Sequence, residues 1–155
     1  MSEMKELKLQ SEIENRIGKI VEDAEKLITE RGSEIASIDA SSQIRNAMAV
    51  ANSAPHPAVV TNFIRYQMGR KGAPGEVWKN TGLGEAVIKA IDGSVHTLAK
   101  EAVERAGFGD VHQVQVQMTR LLLGFMNRRY VYEYDKRKAS SQAESSDRPR
   151  QGRRT

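Results

Sequence analysis

Three histidines are the side chains best suited to acid–base or metal chemistry in this chain, and their placement favours neither. His56, His96 and His112 form no HExxH-type or comparable metal-ligand spacing. No pair of carboxylates stands in a pattern that indicates acid–base catalysis. The chain has no cysteine, so it has no thiol nucleophile and no thiolate metal site. We therefore predict a protein that is not an enzyme and that uses no metal or cofactor.

Two glycine-rich stretches resemble phosphate-binding loops only in part. Gly82-x-Gly84 lacks the third glycine and the preceding strand of a dinucleotide-binding motif. Residues 69–75 contain three glycines but lack the Gly-Lys-Ser/Thr ending of a P-loop. We interpret residues 69–84 as a loop region in which residues 69–75 are a flexible connector and residues 76–79 form one short turn.

Arginine offers the most suggestive chemistry, because its planar guanidinium keeps its charge and gives phosphate two directed hydrogen bonds. The basic side chains of interest are Arg65, Arg70, Arg120, Arg128, Arg129, Lys136 and Arg137. Tyr130, Tyr132 and Tyr134 interleave with the later ones and offer surfaces for base stacking, although the pattern favours core or subunit contacts for these rings. The alternative for the arginines is pairing with Glu133 and Asp135. Their continuation into a basic tail favours an anionic ligand instead.

The charge is unevenly distributed along the chain. Residues 1–39 carry a net charge of −4, residues 40–135 carry +3 and residues 136–155 carry +5. This asymmetry favours an anionic partner for the C-terminal half, with a solvated surface and a solubilising tail as an equal alternative. The N-terminal residues do not resemble a signal peptide, and no apolar run is long enough to span a bilayer. We expect a cytoplasmic protein that does not contact a membrane.

The elements that must position these residues are helices. Apolar side chains at three- and four-residue steps predict an all-α, single-domain bundle of five or six helices over residues 1–138, followed by a disordered basic tail over 139–155. The predicted helices cover residues 3–31, which form a long acidic first helix stopped by Gly32, then about 41–54 with a serine cap, 57–71, 83–92, 94–106 and 110–137. A strand is the alternative near residues 111–118, because valines alternate there with polar residues.

Three stretches, taken in order, resemble the small helical subunit of type III-A CRISPR effector complexes. Residues 41–46 (SSQIRN) are similar to a helix opening of that family, and residues 63–70 (FIRYQMGR) are similar to its aromatic helix ending in Tyr-Gln-x-Gly/Ala-Arg. Residues 121–134 are similar to its C-terminal helix, which ends in aromatic and basic residues. The segment between the second and third motifs is longer than in that family.

The resemblance implies a compact helical bundle that stacks with copies of itself and with other subunits inside a ribonucleoprotein. Such a subunit lies along guide and target RNA and contacts the RNA backbone without reading its sequence, while cleavage belongs to other subunits. The residues that the resemblance marks for RNA contact are Arg45, Arg65, Arg70, Arg128 and Arg129.

Two other functions fit the same residues. One is a free-standing helical DNA-binding protein, in which the helices on either side of Pro55-His56-Pro57 act as a helix-turn-helix. The other is a structural protein–protein interaction module that binds no nucleic acid.

Overall fold

The computed structural model describes residues 2–146, and these residues form helices joined by short turns, with no strand among them. The α-helices are α1 (Ser2–Glu14), α2 (Ile17–Thr29), α3 (Gly32–Ala36), α4 (Ser41–Ser53), α5 (Pro57–Gly69), α6 (Ala73–Gly75), α7 (Leu83–Ala90), α8 (His96–Ala106) and α9 (Val111–Ser146). Two π-helical segments cover Glu76–Asn80 and Ile91–Val95. The all-α prediction is confirmed, and the helices exceed the predicted five or six.

The long first helix predicted over residues 3–31 is wrong, because the chain turns at Asn15 and Arg16. This turn lets α1 pack against α8 while α2 packs along α9. One straight helix would not reach both partners. Arg16 holds the turn by donating from one terminal nitrogen, Nη1, to both the carbonyl and the carboxylate of Glu12, each at 2.8 Å. The apolar periodicity predicted both helical faces but not the angle between them.

Gly32 does not stop a helix as predicted, since α2 ends at Thr29 and Gly32 instead begins α3. Its φ of +49° is a conformation that glycine adopts without the steric cost of a side chain. The segment between the predicted first and second helices is therefore partly helical. Ile35, at its centre, is fully buried and explains why the segment folds onto the bundle.

The boundaries of α4 and α5 lie close to the predicted ones, but their caps differ. The N-cap of α4 is Ala40, which has no capping side chain, so the predicted serine cap is wrong. The carboxylate of Asp39 accepts a hydrogen bond from the Ser41 N–H at 3.2 Å just before the helix. Pro57 is the first residue of α5, as predicted, and the ring nitrogen Nδ1 of His56 accepts from the Ala58 N–H at 3.0 Å. The His56 contact fixes the turn between the two helices.

The interpretation of residues 69–84 as a loop region is wrong, although the short turn predicted at residues 76–79 coincides with a π-helical segment. The segment contains α6 and the π-helical segment Glu76–Asn80, whose Trp78 is completely buried. Gly75 lies so close to the Arg70 carbonyl that any side chain there would collide with it. Local glycine content predicted a loop, but burial of the only tryptophan holds this segment against α5 and α7.

The fourth and fifth predicted helices correspond to α7 and α8. The π-helical segment Ile91–Val95 joins them directly, so residues 83–106 are helical throughout. The side chain of Gln115 donates to the Ile91 carbonyl at 2.9 Å, where the π-helical segment begins. Because a buried carbonyl needs a partner, this bond stabilises the irregular turn. The predicted stop at Gly107 is confirmed, and its φ is +65°.

The last predicted helix is confirmed as α9, and the strand alternative for residues 111–118 is wrong. Asp110 caps it as predicted by accepting from the Gln113 N–H at 3.0 Å. The helix continues past residue 139, where the disordered tail was predicted to begin, and reaches Ser146. Residues 147–155, the remainder of the predicted tail, lie outside the described part of the chain.

α9 is the central helix of the bundle, and α2, α4 and α8 pack along it. Its fully buried hydrophobic side chains are Met118, Leu122, Leu123, Met126 and Tyr130. Steps of four residues along this seam keep one face of α9 in the core. Among the described residues, no helix is both long enough and apolar enough to cross a membrane.

Candidate nucleic-acid interface

The α5 cluster consists of Arg65 and Tyr66 on the outer face of α5 and of Arg70, which directly follows the helix. The inner face buries Val60 and Ile64, so the intervening helical positions point Arg65 and Tyr66 outward. Tyr66 is 63% exposed, and the Arg70 guanidinium lies 5.6 Å from the centre of its ring. The cluster therefore offers solvent an aromatic face next to a permanent positive charge, a combination suited to nucleotides.

Arg45 is exposed on α4, next to the buried Ile44. Among the described residues, no carboxylate lies within 4.0 Å of its guanidinium. Its position leaves it available to an external anion. The structure does not place it in contact with the α5 cluster.

The α9 cluster consists of Phe125, Arg128, Arg129, Tyr132 and Lys136. The Arg128 guanidinium lies 5.6 Å from the centre of the Phe125 ring, and Arg128 itself is exposed. Tyr132 is 56% exposed and has the cationic groups of Arg129 and Lys136 at 5.5 Å and 6.0 Å from its ring centre. A depression of about 370 Å³ runs between this cluster and Val21 and Glu25 of α2.

Arg129 differs from Arg128 because carboxylates surround it. Its guanidinium lies 2.8 Å from the Glu133 carboxylate and 3.2 Å from the Glu25 carboxylate. A phosphate at this position would compete with both partners. Arg128 is therefore the better placed of the two for RNA contact, and Arg129 joins α2 to α9.

The three interleaved tyrosines of α9 have different environments. Tyr130 is buried, and its hydroxyl accepts from the Ala40 N–H at 2.7 Å and donates to the Ile38 carbonyl at 2.6 Å. Burial raises the pKa of Tyr130 above its ordinary value. Tyr134 packs against the core, with its ring centre 5.7 Å from that of Tyr130. Only Tyr132 of the three presents most of its ring to solvent.

The three histidines make contacts that join structural elements. His56 caps α5, and its ring centre lies 4.4 Å from that of His112 at the start of α9. His96 contacts the side chain of Gln115 at 3.1 Å. Within residues 2–146, no three His, Asp or Glu side chains converge in a way that could hold a metal ion.

Arg65 has neighbours that the sequence did not single out. A groove between α5 and α7 brings it together with Arg31, from the turn after α2, and Lys89 of α7. These residues are far apart in sequence, and no local motif links them. They form one positive surface only because α5 and α7 pack beside the end of α2.

The comparisons with known proteins leave the chain without an assigned relative. No protein-family model matches it, and neither the curated proteins nor the solved structures contain a match.

Proposed function

We propose that this chain is a non-catalytic RNA-binding subunit of a type III CRISPR ribonucleoprotein, lying along guide and target RNA and contacting the RNA backbone. The observation that carries the RNA-binding part is the pairing of exposed tyrosines with cationic side chains at two places, Tyr66 with Arg70 and Tyr132 with Lys136. Exposed rings cost free energy in water unless a ligand covers them. The type of complex is inferred from the motif resemblance over residues 41–134.

The proposed mechanism is electrostatic and independent of base sequence. Arg45, Arg65, Arg70 and Arg128 neutralise phosphates, while Tyr66 and Tyr132 offer stacking surfaces that accept any base. Guide RNA and the remaining subunits, including further copies of this chain, complete the assembly. Arg129 acts through its position beside Tyr132 and its ion pairs with α2, not as a free phosphate ligand.

The direct test measures binding of labelled single-stranded RNA to purified Tyr66→Ala, Tyr132→Ala and Arg70→Ala variants by fluorescence anisotropy. Removal of a base–aromatic stacking partner should weaken binding by about 1–3 kcal/mol per tyrosine. Arg105→Ala is the matched control, because Arg105 is an exposed arginine of α8 outside both clusters. It removes the same charge and should weaken binding less than Arg70→Ala.

The same assay separates the alternatives. Equal loss of binding in Arg105→Ala and Arg70→Ala would refute a localised interface and leave only diffuse charge. Tighter binding to duplex DNA than to RNA would favour the free-standing DNA-binding protein. Absence of binding to both would favour the interaction module, for which Met4 and Leu7, exposed on α1, provide an apolar surface. Co-purification with guide RNA and large effector subunits from the native cell tests the proposed complex.

A further inference from the structure

A groove of about 800 Å³ lies between α5 and α7, beside the turn that follows α2. We call it the α5–α7 groove, and its lining residues are Arg31, Arg65, Met68, Gly82, Glu85, Ala86, Ile88 and Lys89. Its size falls within the range of small-molecule sites. It is separate from the α9 cluster and shares only Arg65 with the RNA contacts proposed above.

The lining of the groove is positively charged, and its cations form no ion pairs within 4.0 Å in the described part of the chain. Arg31, Arg65 and Lys89 have no carboxylate within 4.0 Å among the described residues, whereas Arg16 and Arg129 each contact two. Glu85 is the single carboxylate in the lining, which leaves a formal charge of +2. A phosphate monoester carries about −1.5 to −2 near neutral pH, so its charge matches that of the groove.

Arg31 is held in place on the wall of the groove. One terminal nitrogen, Nη1, of its guanidinium donates to the Leu27 carbonyl at 3.3 Å, which holds the side chain against α2. Its Nε is buried, so the terminal nitrogens are the atoms that a ligand in the groove can reach. The anchored guanidinium is therefore positioned before any ligand arrives, and less conformational entropy is lost on binding.

The remaining lining consists of Gly82 and of the apolar side chains of Met68, Ala86 and Ile88. Gly84 lets this surface form, because a Cβ there would lie 2.7 Å from the Met68 sulfur. Met68 can thus lie across the start of α7. A polarisable thioether beside aliphatic groups suits a flat heterocycle, since sulfur makes favourable contacts with aromatic rings.

We propose that the α5–α7 groove binds a nucleoside monophosphate group, with Arg31, Arg65 and Lys89 on the phosphate and Met68, Ala86 and Ile88 against the base. A terminal phosphate monoester fits better than an internal phosphodiester, because a diester carries a single negative charge. The ligand is either a free nucleotide or the 5′-phosphorylated end of an RNA strand. The inference goes beyond the proposed function, because a free nucleotide would bind here even if the chain bound no RNA.

The test is calorimetric titration of the full-length protein with AMP, adenosine and inorganic phosphate. AMP should bind more tightly than either fragment, because only AMP engages both halves of the groove. Lys89→Met should weaken AMP binding about tenfold or more, as expected when one charge-assisted hydrogen bond is removed. Glu85→Gln, a neighbouring change of opposite electrostatic sign, should leave binding unchanged or tighten it. Arg105→Met serves as the distant charge control.

Several outcomes would overturn the proposal. These are no binding of AMP at millimolar concentration, equal binding of adenosine and AMP, or equal weakening of AMP binding in Lys89→Met and Arg105→Met. Thermal unfolding of each variant excludes loss of fold, and Lys89 is exposed, so its replacement should be tolerated.

A second titration distinguishes the two sources of the phosphate. If RNA with a 5′-phosphate competes with AMP and RNA with a 5′-hydroxyl does not, the ligand is an RNA end. If neither competes while AMP still binds, the ligand is a free nucleotide, and the groove stands apart from the proposed RNA function. Competition by 5′-hydroxyl RNA equal to that by 5′-phosphate RNA would contradict the monoester preference.

Discussion

Tyr130 and Tyr132 lie two positions apart on α9 and have opposite environments. Tyr130 is buried and joins α9 to the turn before α4 through two hydrogen bonds of its hydroxyl. Tyr132 is largely exposed between two cationic side chains. A separation of two residues rotates a side chain about 200° around a helix, so one residue faces the core when the other faces solvent. Tyr130 therefore has a structural role, whereas Tyr132 is exposed to a ligand in solution.

At this scale, Tyr130→Phe should destabilise the fold by about 1–3 kcal/mol, because the buried Ala40 N–H loses its acceptor. Tyr132→Phe is the matched control and should stay within about 0.5 kcal/mol of the original chain. Urea unfolding of both variants measures the difference. Equal stability of the two variants would contradict the role of the Tyr130 hydroxyl.

The same tyrosine predicts a pH dependence. Burial raises the pKa of Tyr130 in the folded state above the ordinary value of 10.0, so folding favours the neutral phenol. Its contribution to stability is complete below about pH 10 and is lost as the pH rises through the folded-state pKa. The stability advantage of the original chain over Tyr130→Phe should therefore shrink above about pH 10, as measured by urea unfolding at increasing pH.

At the scale of elements, close approach between neighbouring segments decides where glycine is needed. Gly84 lies in the first turn of α7, and a Cβ there would lie 2.6 Å from the Trp78 carbonyl oxygen. That oxygen belongs to the backbone and cannot rotate away. Gly18, on the exposed side of α2, has no atom within 4 Å of the corresponding position. A steric clash therefore opposes a side chain at Gly84, whereas no clash opposes one at Gly18.

We expect Gly84→Ala to destabilise the protein by about 1–3 kcal/mol, as overpacking does. Gly18→Ala should stabilise it by about 0.5–1 kcal/mol, because alanine is the better helix former and nothing obstructs it. Thermal unfolding monitored by circular dichroism gives both values. If both variants gained stability, helix propensity alone would account for α7, and the close approach to Trp78 would carry no cost.

At the scale of the whole molecule, the charges divide between a folded body and a C-terminal end. Arg65 and Arg128 sit on helices that the core holds in place, and Arg70 directly follows α5. Arg148, Arg150, Arg153 and Arg154 lie beyond the described residues. Side chains fixed on helices can direct their charge at one backbone path, whereas net charge alone gives attraction without direction.

Truncation after Lys138 should leave the fold intact, because residues 139–143 are exposed. It removes four arginines and should make RNA affinity fall less steeply as salt rises, with the log–log slope reduced by about 0.7 for each phosphate that the tail neutralises. Anisotropy titrations at several salt concentrations measure this slope. An unchanged slope would mean that the body alone neutralises the phosphates, and complete loss of binding would place the site in the tail.

Much of the fold was predictable because it depends on local periodicity. The apolar stripes of α4, α5, α8 and α9 lie at helical spacing, so their existence and approximate boundaries follow from the sequence alone. The start of α5 at Pro57 and the stop at Gly107 follow from backbone chemistry. The exposure of Arg45, Arg65 and Arg128 also follows, because each lies off a buried stripe.

What only the tertiary structure decided depends on contacts between residues far apart in the chain. The turn at Asn15 exists because α1 and α2 follow different partners, and the segment around Trp78 is ordered because its indole fills the core. Arg129 is paired because Glu25 of α2 packs beside it, and Arg65 shares a groove with Arg31 and Lys89 because α5 and α7 meet. Local sequence fixes which face of a helix is apolar, whereas the packing of helices decides which charges meet.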